Sequence, residues 1–403
     1  MSIATLPDPG LATRRSAPRA EGRTAPFILF RDDFSGDELL LRKPAKVIVA
    51  EQAEDFFSAM DEVQRAHEAG KWLAGYLSYE AGYLLEPKLA PLLPSGRRTP
   101  LLAFGVFDAP AEAGAVLRPT QATDSPIHDA RATWSFRDYE SRFDRVHQHL
   151  RQGDCYQANL TFPVKARWTG DPLSAFNALA ARQKVRHGAL VALGSSVILS
   201  RSPELFFQVD GEGWIETHPM KGTAPRGKTV EEDERLKRFL MNDPKNQAEN
   251  RMIVDLLRND ISLISEVGSL DVPELFRVES YATVHQMVSR VRAKLLPGLS
   301  IQRIFAALFP CGSITGAPKI RAMEILRELE STPRDAYCGA IGWIEPNGRM
   351  RFNVAIRTIT LFPNGEAIYN VGGGVVFDST AEEEYAECLL KARYATGTAP
   401  ASS

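Results

Sequence analysis

The chain has 403 residues, enough to bury a large core in two or three domains or in one large α/β unit. Its 48 Lys plus Arg against 50 Asp plus Glu leave no electrostatic footprint for nucleic acid or an anionic membrane, and no apolar run approaches the ~20 residues of a membrane span. Four scattered cysteines, Cys155, Cys311, Cys338 and Cys388, form no Cys-x-x-Cys pair, which argues against zinc or a disulfide framework and suits a reducing cytoplasm.

Residues 1–25 hold Arg, Pro and Ala without an apolar segment, so a secretory signal is excluded; a disordered tail fits this composition better than a transit peptide. An N-terminal subdomain with its linker is expected over residues 26–125. It begins with a strand at Phe27–Phe30. A helix follows around Ala53–Ala69, with Phe56, Phe57, Met60 and Val63 at helical spacing. Trp72–Tyr79 and Leu101–Phe107 read as strands. Asp108–Pro126, rich in Ala, Pro, Thr and Asp, reads as the linker.

The main domain is expected over residues 126–397, with a short tail at 398–403. Tyr139–Gln152 has Phe143, Val146 and Leu150 on one helical face. Strands are predicted at Tyr156–Phe162, Ala189–Leu193, Ser196–Ser200, Leu205–Val209 and Trp214–Thr217, then a long charged helix over Val230–Arg258. The last third shows a helix at Ile301–Leu308, a Gly- and Pro-rich turn at Cys311–Pro318 and a helix from Lys319. Strands at Tyr337–Ile344, Met350–Thr360 and Ala367–Val371 follow, and a helix over Ala381–Tyr394 closes the domain. Short strands in succession with long helices favour an α+β class over a doubly wound sheet.

His218-Pro-Met-Lys-Gly-Thr-Ala-Pro-Arg-Gly227 sets Lys221 between two prolines and beside a glycine, so the segment is no regular helix and a rigid turn is expected. A lysine nucleophile must be neutral, which requires its pKa to fall from ~10.4 towards ~7–8. A surface loop with a solvated lysine is the plain alternative.

Two helices carry acids in an unusual setting. Thr380 and Glu383 match a capping box, while Glu384, Glu387 and Lys391 project from one stripe beside the apolar Tyr385, Leu389 and Ala392. Three glycines, Gly372 to Gly374, precede this helix and suit close approach of an anion to backbone N–H groups. Glu249 shares a face with Ile253 and Leu256, so its carboxylate needs a partner. Three such carboxylates converging would suit Mg²⁺; the alternative is ordinary solvated helix faces. Gly312-Ser-Ile-Thr-Gly-Ala-Pro-Lys319 is no Walker loop, because the Gly-Lys-Ser/Thr element is missing, and no Gly-x-Ser-x-Gly, His-Glu-x-x-His or dinucleotide fingerprint occurs.

These segments, with Gly153-Asp-Cys-Tyr-Gln-Ala-Asn-Leu160, Arg201-Ser-Pro-Glu204, Ala248 to Asp260, Val284-His-Gln-Met-Val-Ser289 and Asn353-Val-Ala-Ile-Arg-Thr358, resemble the chorismate-utilising enzymes from about Tyr139 to Tyr394. Trp72-Leu-Ala-Gly-Tyr-Leu-Ser-Tyr-Glu-Ala-Gly-Tyr83 resembles the short form of their N-terminal part. The resemblance implies two large antiparallel sheets packed on each other and flanked by helices, with the site in a cleft between them. Relatives that add a nucleophile directly at ring carbon 2 have Ala where this chain has Lys221. Lysine there implies the branch that makes 4-amino-4-deoxychorismate, for 4-aminobenzoate and folate synthesis, through a covalent lysine adduct.

By the same resemblance Glu204 is the general acid, and Glu249, Glu384 and Glu387 hold Mg²⁺ with Lys391 as a second cation. Arg357 and Tyr337 grip the enolpyruvyl carboxylate, or are ordinary strand residues. His285, Ser313, Thr223 and Gly372 to Gly374 complete the substrate contacts. The tryptophan-binding Leu-Glu-Ser element of larger relatives has no equivalent, and Ala224 stands where many relatives have Arg. No glutaminase-type cysteine is present, so a separate glutamine amidotransferase subunit is expected to supply ammonia. The alternatives are an anthranilate synthase component or a silent chorismate-binding subunit. An isochorismate or salicylate synthase would carry a basic Lys near Ala158.

Overall fold

The computed structural model describes residues 25–112, 126–281 and 284–401. Most of the expected tail (1–24), most of the expected linker (113–125) and residues 402–403 lie outside them. The chain opens with β1 (Phe27–Arg31), β2 (Glu38–Arg42) and β3 (Lys46–Ala50), then α1 (Phe56–Glu68), β4 (Trp72–Leu77), α2 (Ala81–Leu85) and β5 (Leu102–Phe107). Next come β6 (Ile127–Ala132), α3 (Phe136–Gln152), β7 (Gln157–Trp168), α4 (Pro172–Arg182), β8 (His187–Ala192), β9 (Val197–Ser202), β10 (Leu205–Val209), β11 (Trp214–Thr217) and β12 (Met220–Pro225). Then follow α5 (Val230–Asn242), α6 (Pro244–Ser262), β13 (Asp271–Ser280), β14 (Val284–Lys294), α7 (Ile301–Leu308), β15 (Gly316–Ala317) and α8 (Lys319–Leu329). β16 (Ala340–Ile344), β17 (Met350–Val354), β18 (Thr358–Leu361), β19 (Glu366–Val375) and α9 (Ala381–Thr396) complete the fold.

Among the described residues the strands form two antiparallel sheets. One runs β15-β7-β19-β18-β9-β8-β1-β2, with β6 also on β7; the other runs β12-β14-β11-β10-β17-β16-β4-β5-β3, with β13 also on β14. Residues 27–107 do not stand apart, because β1 and β2 extend the first sheet while β3, β4 and β5 extend the second. Between the sheets, Ile28, Tyr76, Ala103, Val191, Ile198 and Ile341 form a shared apolar layer. The outer face of the second sheet packs on α1, α6 and α7 through an aromatic cluster: Phe207 stacks on Phe352 at 5.3 Å, and the Phe305 ring meets Phe352 edge-on at 5.1 Å. The first sheet packs on α3 and α9 through Tyr139, Phe162 and Tyr385. Full burial of each such ring is worth ~1.5–3 kcal/mol.

The local rules explain where elements stop. Ser135 and Asp138 form a capping box at the start of α3, and Gly153, at φ +76°, ends it. Four expectations need correction. The helix over Val230–Arg258 is two helices, because Pro244 lacks an N–H and takes the first position of α6, with Asp243 as its cap accepting from Asn246 N. Met350–Thr360 is two strands in different sheets. The Lys221 segment is an edge strand instead of a turn, and Gly372 to Gly374 continue β19 instead of forming a loop. Phe57, one residue off the apolar face of α1, is 44% exposed. Several elements escaped the sequence reading, notably α4, β13 and β14; β13 alternates exposed and half-buried positions at a sheet edge and contains Pro273, so its pattern is faint.

One buried ion pair ties these layers together. Arg334, 3% exposed, donates from Nε and Nη2 to Glu330 (2.8 and 2.6 Å), from Nη2 to the Asn159 carbonyl (2.7 Å) and from Nη1 to the Ile314 carbonyl (3.0 Å), and lies over the Tyr79 ring. Arg334→Ala leaves the Glu330 carboxylate buried without its counter-charge, and is expected to cost about 3–5 kcal/mol in urea unfolding. A loss below about 1 kcal/mol, the scale of an exposed pair, would show that this pair is no brace.

Candidate active site

Two of the chain's passages from one sheet to the other lie side by side. Between β9 and β10 the crossing carries Glu204; between β17 and β18 it carries Arg357. The crossings are stitched by Arg201 N to the Arg357 carbonyl (2.9 Å), Val354 N to the Glu204 carbonyl (3.1 Å) and Ser202 Oγ to the Val354 carbonyl (2.5 Å). Arg357 sits at φ +50°, a conformation unusual for a side chain of this size. Its guanidinium is desolvated, which pulls its pKa below the ordinary value, and it has no hydrogen bond or ion pair from its side chain among the described residues. Tyr281, Tyr337 and Tyr394 surround it. A half-buried guanidinium without an ion-pair partner suits a carboxylate.

Glu204 is 5% exposed, and burial pushes its carboxyl up to about 7 against the opposing pull of Ser313, Lys221 and Arg357. Ser313 Oγ donates to its Oε1 at 2.7 Å. Ser313 belongs to the 3-10 turn Gly312–Ile314, which lies so close to α6 that a Cβ at 312 would stand 2.4 Å from Leu256 Cδ2. Lys319 fixes the same turn by donating to Asp260 (2.6 Å) and to the Leu308 carbonyl (2.9 Å).

Lys221 lies on β12, the edge strand of the second sheet, where the register with β14 slips between Met220 and Thr223. The bulge is built from Lys221 and Gly222, the latter at φ +97°. Asn250 Nδ2 holds the Lys221 carbonyl (3.3 Å), Gln286 Nε2 holds that of Gly222 (2.8 Å), and Ser289 Oγ in turn holds Asn250 (2.6 Å). The Lys221 ammonium stands 3.7 Å from Glu249.

Across the cleft, α9 presents Glu384 and Glu387 one turn apart. Burial, with Glu387 nearby, raises the Glu384 carboxyl; for Glu387 burial also works upward, but Lys391 and then Lys221 outweigh it and hold the carboxyl below its ordinary value. Glu384 accepts from Ser379 (2.7 Å), and Lys391 pairs with Glu387 (2.8 Å) and donates to the Gly372 carbonyl (3.2 Å). The glycines are cleared ground: a Cβ at 373 would lie 2.5 Å from Glu384 Oε2, and one at 374 would lie 3.1 Å from both Lys221 Nζ and Gln157 Nε2. These three acids supply the hard oxygen donors that Mg²⁺ takes, and the cradle at Gly373 gives Glu384 room, so the donor set fits the ion. The expected convergence is not drawn tight, however. Among the described residues no three acidic, His or Cys side chains surround one point, and Lys221 stands among the acids as their cation.

The structure thus brings Lys221, Glu204, Ser313, Arg357, Tyr337, Glu249, Glu384, Glu387, Lys391 and the three glycines to one cleft. His285 is placed elsewhere: its ring is fully buried on β14, with Nε2 on Asp233 (3.0 Å) and Nδ1 on Ser280 (2.9 Å). Thr223 is exposed and donates to Gln286 (3.0 Å). Ala224, where an arginine was noted in relatives, is buried in a small apolar cluster with Leu240, Val278 and Met287. The strand is anchored by Arg226, whose Nε and Nη2 grip Asp233 (2.8 and 2.7 Å). Sequence reasoning missed Gln157, fully buried with neither amide atom hydrogen-bonded. The period of two along β7 carried the signal, since it turns Ala158 into the core and Gln157 towards Gly374 and Lys221.

An amine on a bulged edge strand, a buried protonatable acid and an uncommitted guanidinium between two sheets define an enzyme site for a small anionic substrate. The chain belongs to the chorismate binding enzyme family, which residues 25–397 match. It is 44% identical to aminodeoxychorismate synthase component 1 of Klebsiella aerogenes over 273 residues, covering 68% of this chain and 60% of that protein. The same-named protein of Escherichia coli K12 is 43% identical over 263 residues, 65% and 58% of the two chains. The chain therefore spans under two thirds of these relatives. Anthranilate synthase component I from Streptococcus pneumoniae TIGR4 superposes with a TM-score of 0.77 at 26% identity, covering 96% of this chain and 95% of that one. No helix among the described residues is long and apolar enough to cross a membrane.

Ser313, Lys221 and Arg357 each draw the Glu204 carboxyl down from where burial would leave it. In Ser313→Ala and in Lys221→Met the acid is therefore expected to titrate above about 7 in carboxyl ¹³C NMR. A midpoint that stays put or falls in both variants would show that these neighbours do not poise it.

Proposed function

We propose that this chain makes 4-amino-4-deoxychorismate from chorismate and ammonia, with Lys221 as a transient covalent nucleophile. The observation that carries this reading is the placement of the Lys221 amine, on a strand held at the carbonyls of Lys221 and Gly222, in the same cleft as the buried Glu204. Arg357 is positioned to take the enolpyruvyl carboxylate with Tyr337 beside it, and Lys391 adds a second cation for a dianionic substrate. The Lys221 amine, its ammonium proton given up to solvent, attacks ring carbon 2; both conjugated ring double bonds shift round towards carbon 4, and the 4-hydroxyl leaves as water with a proton from Glu204, because hydroxide is a poor leaving group. Ammonia then adds at carbon 4, both double bonds return, the still-protonated lysine nitrogen departs as the neutral amine with the C–N bonding pair, and the new ammonium gives a proton to solvent. The enolpyruvyl ether is untouched throughout. Glu249, Glu384 and Glu387 would hold Mg²⁺, which when bound would neutralise the ring carboxylate.

The ammonia is proposed to come from a separate glutamine amidotransferase subunit. The four cysteines are buried and free, which suits a reducing cytoplasm and leaves none as a glutaminase nucleophile. Purified protein with chorismate, Mg²⁺ and ammonium is expected to yield 4-amino-4-deoxychorismate by mass spectrometry, and Lys221→Ala none. Without ammonium, the peptide bearing Lys221 should gain the mass of chorismate less one water. Anthranilate with pyruvate as the products would instead establish the anthranilate synthase reading.

The pH dependence follows from the same acid. Glu204 donates only when protonated, so kcat/KM is expected to fall as pH rises through about 7, the value to which burial lifts it. Glu204→Gln should remove that limb and lower kcat about 10²–10⁴-fold, the usual range for a lost general acid. An unchanged limb in the variant would assign it to another group.

A further inference from the structure

The edge of the second sheet opposite Lys221 encloses a cavity of about 440 Å³. It lies between β3, β4 and β5 of that sheet and the β8–β9 hairpin of the first, and none of its lining residues belongs to the lysine–carboxylate cleft. Val49, Tyr76, Val191 and Ile198 supply apolar walls, continuous with the layer between the sheets. Arg97 and Ser195 stand on the rim. A volume of this size holds a small organic ligand.

Two polar groups there keep hydrogen-bonding capacity: the Tyr76 hydroxyl, and Arg97, whose Nε is buried with no partner among the described residues. Tyr76 is 4% exposed, yet its hydroxyl has no hydrogen bond among the described residues. Burial, with Asp335 and Glu51 nearby, pushes the phenol well above its ordinary pKa, so it remains a neutral donor. The hydroxyl is open to the cavity, where a ligand oxygen or nitrogen would pair with it. Arg97 donates only to carbonyls, Pro94 at 2.7 Å and Glu51 at 3.2 Å, with no carboxylate partner among the described residues. Its neighbour Arg98 is committed to Glu366 (2.8 Å) and stacked on Phe362. The Glu51 side chain is exposed, where water and salt screen its charge.

We propose that this cavity is a second small-molecule site, for a monocarboxylate whose flat apolar ring bears a hydroxyl or amino group. The carboxylate pairs with Arg97, the ring lies between Val49, Val191 and Ile198, and the substituent bonds the Tyr76 hydroxyl. The full chain, probed with 4-hydroxybenzoate by calorimetry and saturation-transfer NMR, is expected to bind with a Kd below a millimolar. Tyr76→Phe should weaken 4-hydroxybenzoate about three- to tenfold, the scale of one neutral hydrogen bond, and leave benzoate unchanged. Arg97→Gln should weaken both, and Ser195→Trp, on the exposed hairpin, should block both while circular dichroism stays native. Lys221→Met and Arg357→Leu should leave binding intact, and chorismate should not displace the probe. Absence of binding at millimolar probe, displacement by chorismate, or loss of binding in Lys221→Met would each overturn the proposal. Because the readout is binding at a separate cavity, its failure leaves the proposed chemistry untouched.

Discussion

The double crossing between the sheets is the constraint on which the site depends. A strand that leaves one sheet for another must break its ladder, and the broken backbone groups need partners. Here each crossing satisfies the other: Arg201 N bonds the Arg357 carbonyl and Val354 N bonds the Glu204 carbonyl. The acid and the guanidinium are thereby fixed to the same few peptide groups. Their side chains are held at the join between the two sheets. Thr358 Oγ1 on Ser200 Oγ (2.9 Å) and Asn353 Nδ2 on the His187 carbonyl (2.8 Å) brace the two flanks. Most of the polar residues of Asn353 to Thr358 therefore serve the crossing, and Arg357 alone is left over for a ligand.

Charge in the cleft is arranged as a set of mutual loans. Glu249, Glu384 and Glu387 would repel one another in a partly buried space, and Lys221 and Lys391 keep them there. The same acids keep Lys221 at the cleft instead of in solvent. Arg357 has no ion-pair partner among the described residues; Tyr394, Tyr281, Tyr337 and Glu204 offset only part of its desolvation, and an anion would relieve the rest. Substrate binding and site stability are in this sense opposed: the groups that cost the fold most are those an incoming dianion would satisfy.

Much of this was legible in the sequence because chemistry and punctuation coincide. Glycines 372 to 374, the capped acidic helix and the lysine between prolines all mark positions where packing alone would choose other residues. The parts that were not legible depend on tertiary pairing. Nothing local says that Lys221 lies on a strand, since its ladder partner β14 is more than sixty residues away and the bulge erases the alternation. Met350–Thr360 reads as one strand because the break at Ala355 to Arg357 contains no glycine or proline; Arg357 takes the left-handed conformation itself. His285 sits in a motif shared by the family, and only the structure shows that Asp233 and Ser280 take both its ring nitrogens.

That placement of His285 gives it a mechanical meaning. Asp233 accepts from Arg226, from Gly227 N (2.7 Å) and from His285, and Arg226 holds its carboxyl well below the usual range. One carboxylate thus joins the end of the lysine strand, the first turn of α5 and the start of β14. Arg226 reaches onward to the Tyr281 carbonyl (2.5 Å), and the Phe34 ring packs on Tyr281, which also stands near Arg357. An edge strand paired on one side is otherwise the least rigid part of a sheet. Tied at its bulge by Asn250 and Gln286 and at its end by Asp233, β12 can hold an amine at a fixed point in the cleft. The fixed position of the Lys221 amine is therefore a property of α5, α6 and β14 together.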